Sequence, residues 1–294
     1  MTWFETIIIA IVEGLTEFLP VSSTGHMIIT EGLLGMESTP FLKAFTVIIQ
    51  LGAILSVVVL YWRRFFLPER REGESWWRAM GHFYLKLVVG VLPAVVVGLT
   101  LGDFIDENLE SVTMTAIMLV VGGVFMLFCD RLFDHGPKSA PLTYRRAWMV
   151  GLYQCIAALL PGTSRSMATI VGGMQQGLSR KVAAEFSFFL AVPTMLGATL
   201  KKTYDLIKHG SGNVLFEGDN LWLLLLGCLV AFVVAIVAIK YFIGYVSRYG
   251  FRAFGWYRIA VGTAILLLPY AGIELKMHDE APETLEQPAR PPVQ

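Results

Sequence analysis

The sequence predicts an all-α polytopic membrane protein with six transmembrane helices, two re-entrant helical hairpins and an inverted-topology repeat. Three observations predict this fold class. The 294 residues are 55% hydrophobic and 16% charged, with a mean hydropathy of +0.62, whereas a soluble chain carries about 25% charged residues. Six stretches, 41–62, 83–102, 112–130, 183–201, 221–245 and 253–272, are apolar and long enough for a bilayer core, which needs about 20 helical residues. Two further apolar regions, 3–36 and 145–178, are broken in the middle by Pro, Gly, Ser and Thr. Each half of such a region is too short to span, so each is read as a helix that enters, breaks and returns. Irregular backbone at that depth is tolerated only inside protein or beside a water-filled cavity.

The first twenty residues, MTWFETIIIAIVEGLTEFLP, lack a basic leader and a small-residue cleavage site, and Glu5, Glu13 and Glu17 interrupt the apolar run. They are expected to belong to the mature fold rather than to a signal peptide. Segments 63–82, 131–146, 179–182 and 246–252 hold 13 Lys and Arg, against 6 in the opposite-side segments 31–43, 103–111, 201–220 and 273–294. The excess of positive charge puts the first set in the cytoplasm and the second outside. The first hairpin then opens outward and the second inward.

Shifting the chain by 141 residues lays Glu13 on Gln154, Pro20 on Pro161, Ser23 on Ser164 and Phe45 on Phe186. One offset thus aligns both breaks and the spans that follow them. Three full spans per half, an odd number, require the halves to be inverted, which places a site where the broken helices meet. The expected organisation is one integral membrane domain, 1–276, with repeat 1 at about 1–133 and repeat 2 at about 142–273. The polar, Pro-rich tail 277–294 is expected to be disordered and external.

Charge and cysteine content exclude other classes. Lys plus Arg equals Asp plus Glu at 23 each, so no basic face suits nucleic acid. Cys129, Cys155 and Cys228 lie in apolar stretches without C-x-x-C spacing and are read as inert thiols, not a disulfide or zinc framework.

The chemistry concentrates in the two breaks. Glu13 and Glu17 are four apart and share one helix face. Two adjacent carboxylates in a membrane hairpin either hold a proton or bind a hard divalent cation, Mg²⁺ or Ca²⁺. Ser22, Ser23 and Thr24 follow Pro20, and hydroxyls there cap the next helix, contact a ligand, or both. Gly25 lets backbone approach closely, and His26 lies three residues after Ser23. Hydroxyl, imidazole and carboxylates together match the parts of covalent catalysis. The second break, PGTSRSMAT (161–169), contains Arg165, the only Lys or Arg between Arg146 and Arg180. An arginine at depth needs an anion, either Glu13 or Glu17 across the interface or a phosphate gripped by its planar fork. Gly162, Thr163, Ser164, Ser166 and Thr169 surround it as candidate substrate-binding groups, and a helix restarting there aims its N-terminal amides at the same place. This combination fits phosphoryl transfer on a membrane lipid.

In EGLTEFLPVSSTGH (13–26) and PGTSRSMAT (161–169), and also in IQLGAILSVV (49–58) and EFSFFLAVP (185–193), the chain resembles the undecaprenyl-diphosphate phosphatase family, also known for bacitracin resistance. The resemblance covers the chain up to its tail. It implies hydrolysis of undecaprenyl diphosphate to the monophosphate carrier used in peptidoglycan synthesis, with a divalent cation and an active site facing outward from the bacterial inner membrane. Carried over by position, Glu13 and Glu17 are the acidic motif, Ser23 and His26 the hydroxyl and imidazole, and Arg165 the diphosphate-binding arginine. Met167 departs from the glycine usual after Ser-Arg-Ser. The nucleophile is left as Ser23, His26 or water, with Ser23 favoured and His26 or Glu17 as its base. The expected partners are the lipid diphosphate and the bilayer; a homodimer is compatible with this reading, and nucleic acid is not. A transporter or flippase of a phosphorylated lipid is the alternative, since broken helices in inverted repeats also suit a carrier. An intramembrane serine protease gives no role to Arg165.

Overall fold

The computed structural model describes residues 1–37, 39–67, 73–102, 105, 111–134, 139–208 and 212–271. The tail expectation for 277–294 and most of the acidic loop 103–111 lie outside the described residues. Eleven α-helices are present among these: α1 (Trp3–Thr16), α2 (Ser23–Leu33), α3 (Pro40–Leu60), α4 (Trp62–Phe66), α5 (Trp76–Thr100), α6 (Val112–Phe133), α7 (Tyr144–Leu159), α8 (Arg165–Gln175), α9 (Arg180–Lys208), α10 (Asn220–Tyr249) and α11 (Arg252–Leu267). Short 3₁₀ turns cover Gly212–Phe216 and Leu268–Ala271, and the described residues contain no strand.

Six helices are long and apolar enough to cross a membrane: α3, α5, α6, α9, α10, and α11 with its 3₁₀ extension. The apolar count placed each of them within a few residues except at two ends. Helix α5 starts seven residues before the expected 83, because Trp76, Trp77 and Arg78 form its first turn although their hydropathy reads as loop. Helix α9 runs on to Lys208, past the expected 201, since Lys, Thr, Tyr and Asp continue a helix perfectly well once the apolar stretch has ended. Helix α1 is stopped at its start by a reciprocal cap: Thr2 Oγ1 accepts from Glu5 N–H, and Glu5 Oε2 accepts from Thr2 N–H at 2.7 Å. Such a capping box satisfies two orphan amides at once.

Both broken regions are helix–turn–helix units. In the first, α1 (14 residues) and α2 (11 residues) flank a turn at 17–22; in the second, α7 (16 residues) and α8 (11 residues) flank 160–164. All four helices are shorter than the about 20 residues a crossing needs. Among the described residues only two non-glycine positions have positive φ, Ser22 (71°) and Ser164 (74°). Each is the N-cap of the helix after its break, and each accepts from the amide three residues on, Gly25 and Met167 respectively. The backbone therefore equates Ser22 with Ser164, 142 residues apart, one more than the offset that lays Ser23 on Ser164.

Helix α1 packs on α10, α7 on α5, α3 on both α10 and α9, and α6 on α11. Small residues set the closest approaches: a Cβ at Gly52 in α3 would collide with the Cys228 carbonyl of α10, and one at Gly151 in α7 with the Gly90 carbonyl of α5. Close backbone contact through small residues is how helices associate where there is no hydrophobic drive between them. Every residue from Ser166 to Met174 of α8 is buried, so this short helix is enclosed by protein on all sides. At one end of the bundle Arg180 clamps α6 to α9 through Asp130 and Asp134, both at 2.8 Å, while Asp130 also accepts from Phe251 N–H at the start of α11. Cys129 and Cys155 are buried, Cys228 is half-buried, and all three are free thiols.

Candidate active site

The two breaks meet. Glu17, the residue that ends α1, holds both sides of the junction with one carboxylate. Its Oε2 accepts from Ser23 Oγ at 2.6 Å, and its Oε1 accepts from Arg165 Nη2 at 2.9 Å. Ser23 belongs to the first break and Arg165 to the second, 148 positions from Glu17. The carboxylate is 8% exposed and the guanidinium 15%, so the pair is largely removed from water, where a charge-assisted bond is strongest. Arg165 Nη1 also donates to the Ser187 carbonyl at 3.3 Å.

Glu13 lies one turn before Glu17 and is 1% exposed. Its Oε1 has no hydrogen-bond partner. An orphaned buried carboxylate oxygen beside a second carboxylate is an all-oxygen donor set that suits a hard divalent cation. Among the described residues no group of three or more His, Cys, Asp or Glu gathers around a common point, so such an ion would complete its shell with water or substrate oxygens. Mg²⁺ in particular keeps much of its water when bound. The residues present fit the ion.

His26 does not reach Ser23. Its Nδ1 faces the Ser22 carbonyl at 2.8 Å and its Nε2 faces the Tyr257 hydroxyl at 2.7 Å. Of the two bases the sequence left open for Ser23, only Glu17 is in hydrogen-bond contact with it. Thr24 is exposed at the N-terminus of α2, whereas Ser22 is buried and spends its hydroxyl on the cap.

In the second break only Ser164 and Arg165 are partly open; Gly162, Thr163, Ser166 and Thr169 are buried. Their polar groups stitch the breaks together. Ser166 Oγ donates to the Leu19 carbonyl at 2.7 Å and lies 3.0 Å from Ser164 Oγ. Thr169 Oγ1 donates back to the Arg165 carbonyl at 2.8 Å and meets Ser187 Oγ at 2.6 Å. Thr163 Oγ1 has no partner. Gly162 has φ of 82° and backs onto Thr115 so closely that a Cβ would collide with the Thr115 carbonyl. Met167 is buried, with its Cε methyl against Gly122, and so packs toward α6.

Three residues that sequence reasoning did not single out support this arrangement. Arg258 of α11 is 0% exposed and donates to five carbonyls: Pro20 of the first break, Gly162 and Thr163 of the second, and Met118 and Leu119 of α6. Tyr257 holds His26, and Ser187 backs Arg165 and Thr169. Arg258 carried a usable signal, because an arginine inside a predicted span is functional or paired by default. Tyr257 and Ser187 carried none. Gln154, laid on Glu13 by the repeat offset, has its amide 3.1 Å from Thr194 Oγ1 and takes no part in the cluster. A cavity of about 530 Å³ bordered by Arg64, Glu74, His82, Lys86, Tyr144 and Glu185 shares no lining residue with it.

The fold and the cluster define a polytopic helical protein whose two broken helices bring a hydroxyl, paired carboxylates and a guanidinium to one point. The profile of the family "Bacitracin resistance protein BacA" matches residues 6–264, and the chain belongs to that family. Among its relatives, proteins named undecaprenyl-diphosphatase from Porphyromonas gingivalis, Flavobacterium psychrophilum and Bdellovibrio bacteriovorus are 55%, 51% and 50% identical to it. These alignments cover 94%, 92% and 94% of this chain and 99%, 97% and 100% of those proteins.

Proposed function

We propose that the protein hydrolyses undecaprenyl diphosphate to undecaprenyl phosphate and inorganic phosphate, returning the lipid carrier to cell-wall synthesis and conferring bacitracin resistance. The observation that carries this reading is the double use of Glu17, which accepts from Ser23 and from Arg165 at once. Ser23 Oγ attacks the terminal phosphorus while its proton passes to Glu17. The bond from that phosphorus to the bridging oxygen breaks, and the lipid monophosphate leaves with the electron pair. Glu17 then loses that proton to solvent. Water attacks the phosphoserine, its proton passing through Glu17 to Ser23 as the phosphorus–Oγ bond breaks and phosphate departs. Arg165 trades part of its bond to Glu17 for phosphate oxygens, and the N-terminal amides of α2 and α8 supply further donors, as helix starts do for anions. Glu13 and Glu17 would hold a divalent cation, Mg²⁺ or Ca²⁺, which would supply charge neutralisation for the diphosphate.

The two helix–turn–helix units are re-entrant hairpins in this reading, and the halves 1–133 and 142–273 are inverted repeats. Support comes from the matched positive-φ serines and from the pairing of helices: exchanging α1, α2, α3, α5 and α6 with α7, α8, α9, α10 and α11 maps α1 on α10 onto α7 on α5. The excess of Lys and Arg in the segments after α3, α6, α8 and α10 puts that side in the cytoplasm of the bacterial inner membrane and opens the first break, with Ser23 and Thr24, outward. A carrier needs Arg165 but no hydroxyl hydrogen bonded to a carboxylate.

The test is phosphate release from undecaprenyl diphosphate, or from farnesyl diphosphate, by purified protein with Mg²⁺ or Ca²⁺ and with chelator. Metal-dependent release that is lost in Ser23→Ala supports the reading. Absence of release from wild-type protein with intact lipid transport would overturn it.

A further inference from the structure

The environment of His26 assigns a role to a residue outside both motifs. Nδ1 stands 2.8 Å from the Ser22 carbonyl, which can only accept, so Nδ1 carries a hydrogen. Nε2 is left with one partner, the Tyr257 hydroxyl at 2.7 Å. The two rings lie nearly parallel, 10° apart with centroids 5.5 Å from each other. A hydroxyl both donates and accepts, so this bond survives whether the imidazole is neutral or charged. Tyr257 is 46% exposed, and its hydroxyl lies between the more enclosed imidazole and open space.

The position of Tyr257 is itself fixed. Its neighbour Arg258 is fully buried and ties α11 to Pro20, Gly162 and Thr163. The same helix turn that staples the two breaks therefore also delivers the tyrosine to His26.

We propose that Tyr257 is the positioning residue for His26, holding the ring with Nδ1–H on Ser22 and Nε2 turned to the open side, and that it acts through His26 rather than on the phosphates. The inference rests on the phosphatase reading for its kinetic consequence, and on the geometry alone for its structural one. A tyrosine that only fills space needs its ring and not its hydroxyl, so Tyr257→Phe separates the two cases without removing packing.

Tyr257→Phe is expected to lower kcat about tenfold, the value of one hydrogen bond that orients the His26 ring beside the cluster, with KM within about twofold of wild type. In a His26→Ala background the same change is expected to have no further effect, since residues acting as a unit are not additive. In lipid nanodiscs containing ¹⁵N-histidine protein, the His26 signals, identified by their loss in His26→Ala, are expected to show the Nδ1–H tautomer in both proteins, with the Nε2 signal shifted in Tyr257→Phe by loss of its hydrogen-bond partner. Wild-type kcat in Tyr257→Phe, multiplicative loss in the double variant, or an unchanged Nε2 signal would overturn the proposal. Wild-type protein that releases no phosphate would sink the phosphatase reading, while the Nε2 signal still decides the placement of His26.

Discussion

Replacing Glu17 with glutamine tests the centre of the site, because the substitution keeps shape and removes charge. A carboxylate offers two accepting oxygens, and here both are used, Oε2 by Ser23 and Oε1 by Arg165. An amide has one accepting oxygen and one donating nitrogen. If its oxygen stays on Arg165, the NH₂ faces Ser23 Oγ and cannot take its proton. If it turns to Ser23, the NH₂ points at a guanidinium that is only 15% exposed. The first orientation costs the base and weakens the bond to Arg165, and the second strands the guanidinium, at about 1.5–3 kcal/mol for a hydrogen bond to a charged group. Loss of a positioned base adds a factor of about 10² to 10⁴ in rate. Together these put the expected fall in kcat/KM at about 100-fold or more, at least about 2.7 kcal/mol of transition-state stabilisation. The assay is phosphate release from farnesyl diphosphate by protein in nanodiscs, with a thermal melt followed by fluorescence of the seven tryptophans. A cooperative melt is expected to persist, at a lower midpoint. A folded Glu17→Gln protein with kcat/KM within threefold of wild type would refute the reasoning, since neither the base nor the bridge would then matter.

Three other perturbations have defined outcomes. Arg165→Lys keeps the charge but loses the planar fork, and is expected to reduce phosphate release at least about tenfold, or about 1.4 kcal/mol; wild-type turnover would remove Arg165 from the site. Glu13→Gln should move the Mg²⁺ or Ca²⁺ titration of activity to higher concentration more than it alters KM for lipid, and an unchanged titration would argue against Glu13 as a metal ligand. Arg258→Met leaves five carbonyls without their donor, each worth about 1–3 kcal/mol when buried and unpaired; a lowered melting midpoint together with lost activity is expected, and a stable, active variant would show that the breaks do not depend on the staple.

The parts of the site that could be read from the sequence are those that violate the local pattern. Glu13, Glu17 and Arg165 are charges in apolar surroundings, and Ser23 and Thr24 follow a Leu-Pro stop, so composition alone raised them. The parts that could not be read are those whose local pattern is ordinary. Tyr257 is an aromatic residue near the end of a span, and Ser187 is one small polar residue inside EFSFFLAVP; neither departs from what a helix in apolar surroundings carries. Their roles depend on partners 231 and 18 residues away, which no window along the chain contains. The hydroxyls of the second break are ambiguous in a different way. Ser166 and Thr169 stand out as candidate anion ligands by composition, and in the fold their hydroxyls bond the Leu19 and Arg165 carbonyls and the Ser187 hydroxyl. A hydroxyl-rich turn reads the same from sequence whether it serves a ligand or its own main chain.

That stitching explains how the protein sustains two strained turns. Ser22 and Ser164 sit at positive φ, a conformation that costs about 1–3 kcal/mol for a non-glycine residue and persists only where surrounding structure over-determines it. Each break leaves carbonyls that its own helix cannot satisfy; those of the first break find donors in the other half of the chain, and those of the second find theirs in α11. The Leu19 carbonyl takes the Ser166 hydroxyl, and Pro20 takes Arg258, which also serves Gly162 and Thr163. Neither break is complete alone. The bonds that offset the strain are the same ones that bring Ser23 and Arg165 to opposite oxygens of Glu17, so the local cost of each turn and the assembly of the cluster are one structural event.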